Sequence, residues 1–457
     1  MQHYFNLASL RRLSSRSALL LTLGFGLGSC EKILDVKPQN SIDAVTGGLT
    51  TRQDIEAGLR GCYDALQSAN YYGLRYQSFS DLIGQNIRHT GTFPTFAQIY
   101  QNQILTDNAD VTNVWIAIYD GVNRTNYLVD QAGKLNDPAY NSLNAIAEAR
   151  TLRAFHYLNL LNFWGGSPTG FGDAGGLGVP LRLIATTAVG EQTKPTARAT
   201  EAAVVAAIRA DLDYAVANLA NTSTSRITKS TALALRARVE LYQKQYSDAL
   251  TYAKQIPTTT GDIMWQLQFS NTDSNQLAFF WFPGSAGGRN EFDPSNELAL
   301  AHPAGDTRLP INVVTATNAT ATYPVGTTRK YSRIATSDDP VNVVRYSEVI
   351  LTIAEAAART GDLVTATTQV NLIRVRAGLA PVAGLTQAQL ITEVLLQRRL
   401  ELAHEGHYWF DLRRTNTVQT AIPAYSQTFR NLWPIPQREI LNSTVAGTPI
   451  IAQNPNY

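Results

Sequence analysis

Apolar positions recur along this chain at intervals of three, four and seven, the spacing of one face of an α-helix. Trp115, Ile118, Val122 and Val129 share such a face. So do Ala147, Ala154, Leu158 and Leu161, and again Val204, Ile208, Leu212, Ala215 and Leu219. The third run follows Thr200 and Glu201, a hydroxyl to cap the first turn and an acid to sit beside its free N–H groups. Two later stretches predict helical hairpins. Ala232, Leu235, Val239 and Tyr242 form one face, Gln243–Gln245 break it, and Tyr246 with Ala249 opens a second helix. Tyr346, Ile350, Ile353 and Ala357 form another face, Gly361-Asp362 breaks it, and Leu363 with Ala366 opens its partner.

A large residue and a small one three apart, just after a turn, let two helices approach closely. That spacing resembles the tetratricopeptide repeat, although the full repeat consensus is absent. Periodicity alone does not separate such units from a general helical bundle. Between the helical runs lie long stretches with no clear period. Residues 70–104 are rich in Tyr, Gln, Asn and Phe, residues 165–198 are rich in Gly, and residues 257–343 carry Gly, Thr, Asn and Pro with short apolar runs such as Leu277–Phe282. Connections this long are uncommon unless they carry function or are disordered, and binding residues concentrate on loops placed by a rigid scaffold. The pattern predicts a helical frame bearing elaborate polar and aromatic loops.

Composition narrows the chemistry. The 457 residues are 44% hydrophobic and 16% charged, with a formal net charge of +2. A nucleic-acid binder needs a basic excess or stripe, and neither is present. Two cysteines exclude a disulfide framework and a thiolate zinc cluster. The N-terminus carries an address: Arg11, Arg12 and Arg16 precede a 13-residue apolar stretch, Ser17 to Ser29, too short to span a bilayer as a helix. It ends in Leu27-Gly28-Ser29-Cys30, which resembles the bacterial lipobox, whose Cys is lipidated and becomes the first mature residue. An ordinary signal peptide with an incidental Cys is the alternative, and the order of Leu, two small residues and Cys argues against it. Removing residues 1–29 takes away three Arg and no acid and leaves a slightly acidic protein whose remaining free thiol is Cys62. Residues 31–50 then form a polar tether.

No Gly-x-Ser-x-Gly elbow or P-loop is present, and the one Gly-x-Gly-x-Gly run lies in the signal segment. The segment Glu401-Leu-Ala-His404-Glu405-Gly-His407 is not a zinc-protease motif, which needs histidines four apart. Glu401-x-x-His404 matches half of a di-iron motif, but the chain holds no second copy. Arg398, Arg399, Arg413 and Arg414 flank these acids, so Glu401, Glu405, Arg413 and Arg414 are expected to form a charged structural network around Trp409 and Phe410. No metal or other cofactor is expected. Aromatics are the remaining candidates, since a ring can stack on the C–H face of a sugar while amides bond its hydroxyls. Tyr71, Tyr72, Tyr76, Phe93, Phe96 and Tyr100 lie in one region with Arg88, Asn86 and His89, and Trp265, Phe279, Phe280 and Trp281 in another. Any single aromatic is more often a core anchor. The preferred platforms are Trp265 and Trp281, with Tyr72, Phe93 and Arg88 behind them, on two regions expected to converge over the frame.

At the level of motifs the chain resembles the SusD/RagB family of outer-membrane nutrient-binding lipoproteins. The resemblance rests on Cys30-Glu-Lys-Ile-Leu34-Asp35-Val36-Lys-Pro38, on Ala147-Glu148-Ala149-Arg150-x-x-Arg153-Ala154-x-x-Tyr157, and on Arg345-Tyr-Ser-Glu348-Val-Ile-Leu351-x-x-Ala354-Glu355-Ala356. The most specific stretch is Arg398-Arg399-x-Glu401-Leu402-x-x-Glu405-Gly406-His407-x-Trp409-Phe410-Asp411-Leu412-Arg413-Arg414, followed by Leu432-Trp433-Pro434-Ile435-Pro436 and Gln453-Asn454-Pro455-x-Tyr457. Gln397 stands where the family usually has Glu, and Tyr408 where it often has Arg.

The resemblance implies a mostly α fold with tetratricopeptide-like helix pairs and long irregular ligand-binding loops. It implies that the 401–414 constellation is scaffold, and that no catalysis takes place. Residues 1–29 are then a lipoprotein signal peptide and 30–50 a lipidated tether. Residues 51–224 form an N-terminal SusD-like region, and 225–457 a C-terminal SusD/RagB region packed with it as one compact unit. The expected partners are a SusC-like TonB-dependent transporter, an oligosaccharide ligand and, through Cys30, the outer membrane at its cell-surface face. A peptide or other oligomer as ligand, or a repeat-based assembly scaffold, are the competing readings, and aromatics with amides in long loops favour the oligosaccharide.

Overall fold

Helix starts in this protein are written as short polar side chains. A computed structural model describes residues 48–221 and 226–457; the signal segment, Cys30 and residues 31–47 of the tether lie outside the described residues. Helix α1 (Arg52–Gln67) opens on a capping box in which Thr51 accepts from the Asp54 N–H and Asp54 reaches back to the Thr51 N–H. Helices α2 (Arg75–Ile83) and α3 (Pro94–Tyr100) follow. Asn108 caps α4 (Ala109–Lys134), Asn141 caps α5 (Ser142–Trp164), and Thr200, as its position predicts, caps α6 (Glu201–Asn218) by accepting from the Ala203 N–H.

Both predicted hairpins form. Helix α7 (Lys229–Tyr242) ends at the Gln243–Gln245 break, and α8 (Tyr246–Ala253) returns with Ala249 wholly buried. Three short helices, α9 (Leu277–Trp281), α10 (Asn296–Ala301) and α11 (Leu309–Asn312), punctuate the middle of the chain. Helix α12 (Tyr346–Thr360) stops at Gly361, whose φ of +89° suits a residue without a Cβ. Asp362 caps α13 (Leu363–Arg376), which places Ala366 in the interface. The chain closes through α14 (Gln387–Glu401) and α15 (Tyr408–Arg414), the short α16 (Val418–Ala421), and α17 (Gln437–Asn442).

Each long helix packs on the next: α1 on α4, α4 on α5, α5 on α6, α6 on α7, α7 on α8, α8 on α12, and α12 on both α13 and α14. The unit so formed spans Leu49 to Tyr457; its main apolar core draws residues from Leu49 to Ile451, with a second cluster between α12, α13 and α14 and a third joining Leu298 and Val313 to Leu400 and Ala403. Two helices depart from the one-faced pattern read in the sequence. Helix α5 is buried on every side from Thr151 to Trp164, and α12 from Ser347 to Ala358 with Ile350 half-buried. Each has a neighbour on several faces, so a face of four residues underestimates what it hides. At the α4–α5 crossing Gly121 admits the His156 ring, and a Cβ there would stand 2.4 Å from His156 Cε1.

The strands are short and antiparallel. β1 (Ile87–His89) pairs with β5 (Phe292–Pro294), β2 (Leu177–Pro180) with β3 (Arg198–Thr200), and β4 (Ile263–Leu267) with β6 (Val341–Arg345). The tract from 70 to 104 is therefore not the irregular loop its composition suggests. It holds α2, β1 and α3, and Tyr71, Tyr72 and Tyr76 fill an interior aromatic cluster, while Tyr100 is half-buried. Cys62 lies buried in α1, where burial pushes its thiol up to about 12. Among the described residues no helix is long and apolar enough to cross a membrane.

Candidate functional site

The two aromatic tracts meet through the β1–β5 pair, in which Ile87, Arg88 and His89 stand opposite Pro294, Asp293 and Phe292. The alternation of β1 hides Ile87 and leaves Arg88 exposed. The Arg88 guanidinium reaches across to Asp293 at 2.6 Å. Burial nonetheless raises the Asp293 carboxyl above its ordinary range, against the pull of that arginine.

Glu291 organises the turn beside this ladder. Its carboxylate is almost fully buried and accepts from His89 Nε2 (3.1 Å), the backbone N–H groups of Thr92 (3.0 Å) and Phe93 (3.3 Å), and Arg289 Nε (2.9 Å). Burial pushes this carboxyl up, but the four donors together hold it below its usual value. The turn wraps the carboxylate so tightly that a Cβ on Gly91 would fall 2.0 Å from Glu291 Oε2. The Arg289 backbone N–H donates to the Phe279 carbonyl at 2.7 Å, and its guanidinium lies over the Phe93 ring at 4.1 Å from the centroid. Thr90 and Asn290 bridge the two turns, with Asn290 Nδ2 donating to Thr90 Oγ1 at 3.2 Å. Phe279 adds a second partly exposed ring. The resulting surface joins aromatic faces to amide, hydroxyl and guanidinium groups, the set that grips a neutral polyhydroxylated ligand by stacking and hydrogen bonding.

Of the five candidate platforms the structure keeps Arg88 and Phe93 on this surface, the first exposed and the second half-buried. The other three are corrected. Trp281 is wholly buried, edge-on to His404 with centroids 4.9 Å apart. Trp265 is 2% exposed, held between Phe155 and Tyr63 by the inward alternation of β4. Tyr72 stacks on Tyr76 at 5.0 Å inside the aromatic cluster. None of these three offers a face to solvent. Arg289 and Glu291 are the residues that sequence reasoning missed. Their only local signal is the run Arg289-Asn-Glu291 directly after Gly287-Gly288, which marks a turn.

The 401–414 constellation is buried and charged, in two parts. Glu401 and Glu405 meet Arg345 at 2.8 Å each, with Arg376 also on Glu401 and Lys330 on Glu405. Asp411 takes two bonds from Arg398 (3.0 and 3.2 Å) and one from Arg414 (2.8 Å), which also holds Glu355 at 2.6 Å. Burial opposes ionisation, yet the arginines win and hold Glu401 and Asp411 down at about 2. Arg413 departs from expectation. Its guanidinium donates to the carbonyls of Asn162, Gly165 and Ser167 and stacks on Phe171, and burial lowers it to about 9. The far partners Arg345 and Glu355 were legible as members of the 345–356 motif but not as partners of the 401–414 charges. Among the described residues no group of His, Cys, Asp and Glu is placed to hold a metal ion.

Comparison with known proteins covers the chain from end to end. A family model described as the SusD family matches residues 268–457, and one described as starch-binding associating with outer membrane matches residues 32–241. SusD-like protein P38 of Formosa agariphila is 25% identical, over 98% of this chain and 99% of its own length. SusD-like protein P2 of the same organism is also 25% identical, over 89% and 93%. Among solved structures, a SusD superfamily protein of Bacteroides thetaiotaomicron aligns with a TM-score of 0.75 at 21% identity, covering 89% of this chain and all of its own. A laminarin-binding SusD-like protein aligns with a TM-score of 0.71 at 20% identity over 89% of this chain and all of its own. At these identities the structural likeness speaks for the fold.

Proposed function

We propose that this chain, which belongs to the SusD family, is a cell-surface lipoprotein that captures oligosaccharide and passes it to a SusC-like TonB-dependent transporter in the outer membrane. The observation that carries the reading is the β1–β5 surface, where Phe93 and Arg289 stand beside Arg88, Thr90 and Asn290 on turns fixed by one buried carboxylate. The family description, starch-binding associating with outer membrane, and the laminarin-binding relative support carbohydrate as the ligand class. Capture needs no bond-making. Ligand favours a closed lid over the transporter only as far as it binds that state better.

Calorimetry of the mature protein against soluble polysaccharides and peptides tests this. Binding to a neutral glycan is expected, and Phe93→Ala should weaken it by about tenfold or more, since a central aromatic commonly carries more than ~1 kcal/mol of an interface. Tight binding of peptides with no glycan bound would replace the reading with the peptide alternative. Glycan binding untouched by Phe93→Ala would move the site elsewhere.

Anchoring is tested separately. Cys30→Ala should shift the protein from the detergent phase to the aqueous phase in a partition assay, because acyl chains supply the membrane attachment. Retention of the variant in the detergent phase would mean that another segment anchors it.

A further inference from the structure

We infer that a second ligand site lies along the outer side of α4, shaped for a ring of a neutral, unsulfated oligosaccharide. A cleft of about 370 Å³ opens there between α4 and the segment that follows β2, within the ~300–1,000 Å³ that small-ligand sites occupy. The Trp115 ring, 2% exposed, backs the cleft beside Tyr119, with centroids 4.9 Å apart. Ile116 and Ile184 also line it, 38% and 73% exposed. Isoleucines so placed beside a concave surface present apolar area for a ligand to cover.

The walls are held in advance. Tyr119 donates to the Pro180 carbonyl at 2.8 Å. Asn123 accepts from the Thr186 N–H at 2.7 Å and donates to the Thr186 carbonyl at 3.2 Å. Asn126 donates to the Arg182 carbonyl at 3.0 Å, and the Tyr157 hydroxyl both accepts from the Arg182 N–H at 2.7 Å and donates to its carbonyl at 2.6 Å. Residues 180–186 are thus tied to the helices through their main chain, and a ligand entering the cleft loses little to ordering its walls.

The rim chooses the ligand. Asp120 and Glu439 both line the cleft. Asp120 is paired with Arg124, while the Glu439 side chain makes no hydrogen bond or ion pair among the described residues. The Arg182 guanidinium, which also lines the cleft, is engaged by the carbonyls of Gln192 and Lys194. Carboxylate acceptors beside apolar walls suit a ring with one C–H face and hydroxyl donors at its edge, and they repel an anionic sugar. The proposal shares its ligand class with the function proposed above but stands on other residues and other elements.

The test is calorimetry of the mature protein with laminarin-derived and malto-oligosaccharides, and with uronate oligosaccharides as the anionic control. Two sites are expected for at least one neutral probe. Ile116→Gln with Ile184→Ser, and separately Glu439→Gln, should weaken one of them at least fivefold and leave the other intact. The melting temperature should stay unchanged, because both isoleucines are solvent-accessible. Phe93→Ala should do the reverse. The inference falls if the cleft variants bind like wild type, if uronates bind the cleft equally well, or if Phe93→Ala alone removes all glycan binding; in that last case the proposed function still stands. It also falls if the isoleucine variant loses only its association with the transporter, which would make the cleft a protein-docking surface. If no neutral glycan binds the wild type at all, both proposals fail together.

Discussion

Glu355→Ala is expected to cost roughly 3–5 kcal/mol of stability, the usual range when one partner of a buried ion pair is removed. Glu355 is fully buried on α12 and holds Arg414 through two bonds of 2.7 and 2.6 Å, with Arg359 at 2.8 Å and Arg398 nearby. Removing it leaves Arg398 and Arg414 with Asp411 as their remaining acid, two cations against one anion out of contact with water. Arg398 comes from α14 and Arg414 from α15, so the loss also loosens the seam between the last helices and α12. Denaturant unfolding of the purified variant measures the effect, with glycan affinity of the folded fraction as control. A variant that unfolds within about 1 kcal/mol of wild type would show the network to be energetically neutral, as buried pairs replaced by apolar groups sometimes are.

Mild acid should destabilise the protein well before the paired carboxylates of Glu401 and Asp411 titrate. His156, His404 and His407 are buried, and burial lowers them to about 3, 3 and 4. His404 donates from Nε2 to the Asn312 carbonyl at 3.0 Å, while its Nδ1 has no partner, so a second proton would find no acceptor. In the unfolded chain each titrates near 6.5. Folded values that lie below the unfolded ones mean that stability is complete above about pH 6.5 and drains as pH falls toward the folded values. At pH 5 the loss is on the order of 2 kcal/mol per histidine. A second loss follows from about pH 4 down to 2, where Glu401 and Asp411 give up their pairing. Unfolding free energies at pH 7 and pH 5 decide the matter. Equal values would show that these imidazoles accept protons without penalty, and His404→Asn should remove about a third of the difference.

The helical frame was legible because its signals are local. Thr200, Gly361-Asp362 and the Gln243–Gln245 break act within a few residues of where they stand, and each marks an element end in the structure. The candidate site was half legible. Arg88 and Phe93 sit in one short stretch whose polarity can be read in place, but Arg289 and Glu291 join them only by pairing across some two hundred residues, which no local pattern records. Trp265 and Trp281 misled for the opposite reason. A polar neighbourhood in the chain says nothing about which way a ring turns, and Trp281 turns onto His404, a contact made by residues far apart in sequence. Arg413 was grouped with the acids beside it because charge was visible and the carbonyls of Asn162, Gly165 and Ser167 were not.

The β1–β5 ladder sets a timetable for the emerging polypeptide. One edge of the Phe93 surface leaves the ribosome long before the other, and Arg88 waits for Asp293 through the synthesis of α4 to α8. Closing so long a loop is entropically unfavourable until the intervening helices have shortened it, and contacts of such sequence separation form late. A chain caught midway thus carries the helices from α1 to α8 and lacks the paired surface. Fragments cut between α8 and β5 should each lack the surface and regain it only on reassociation, so binding competence reports completion of the whole fold.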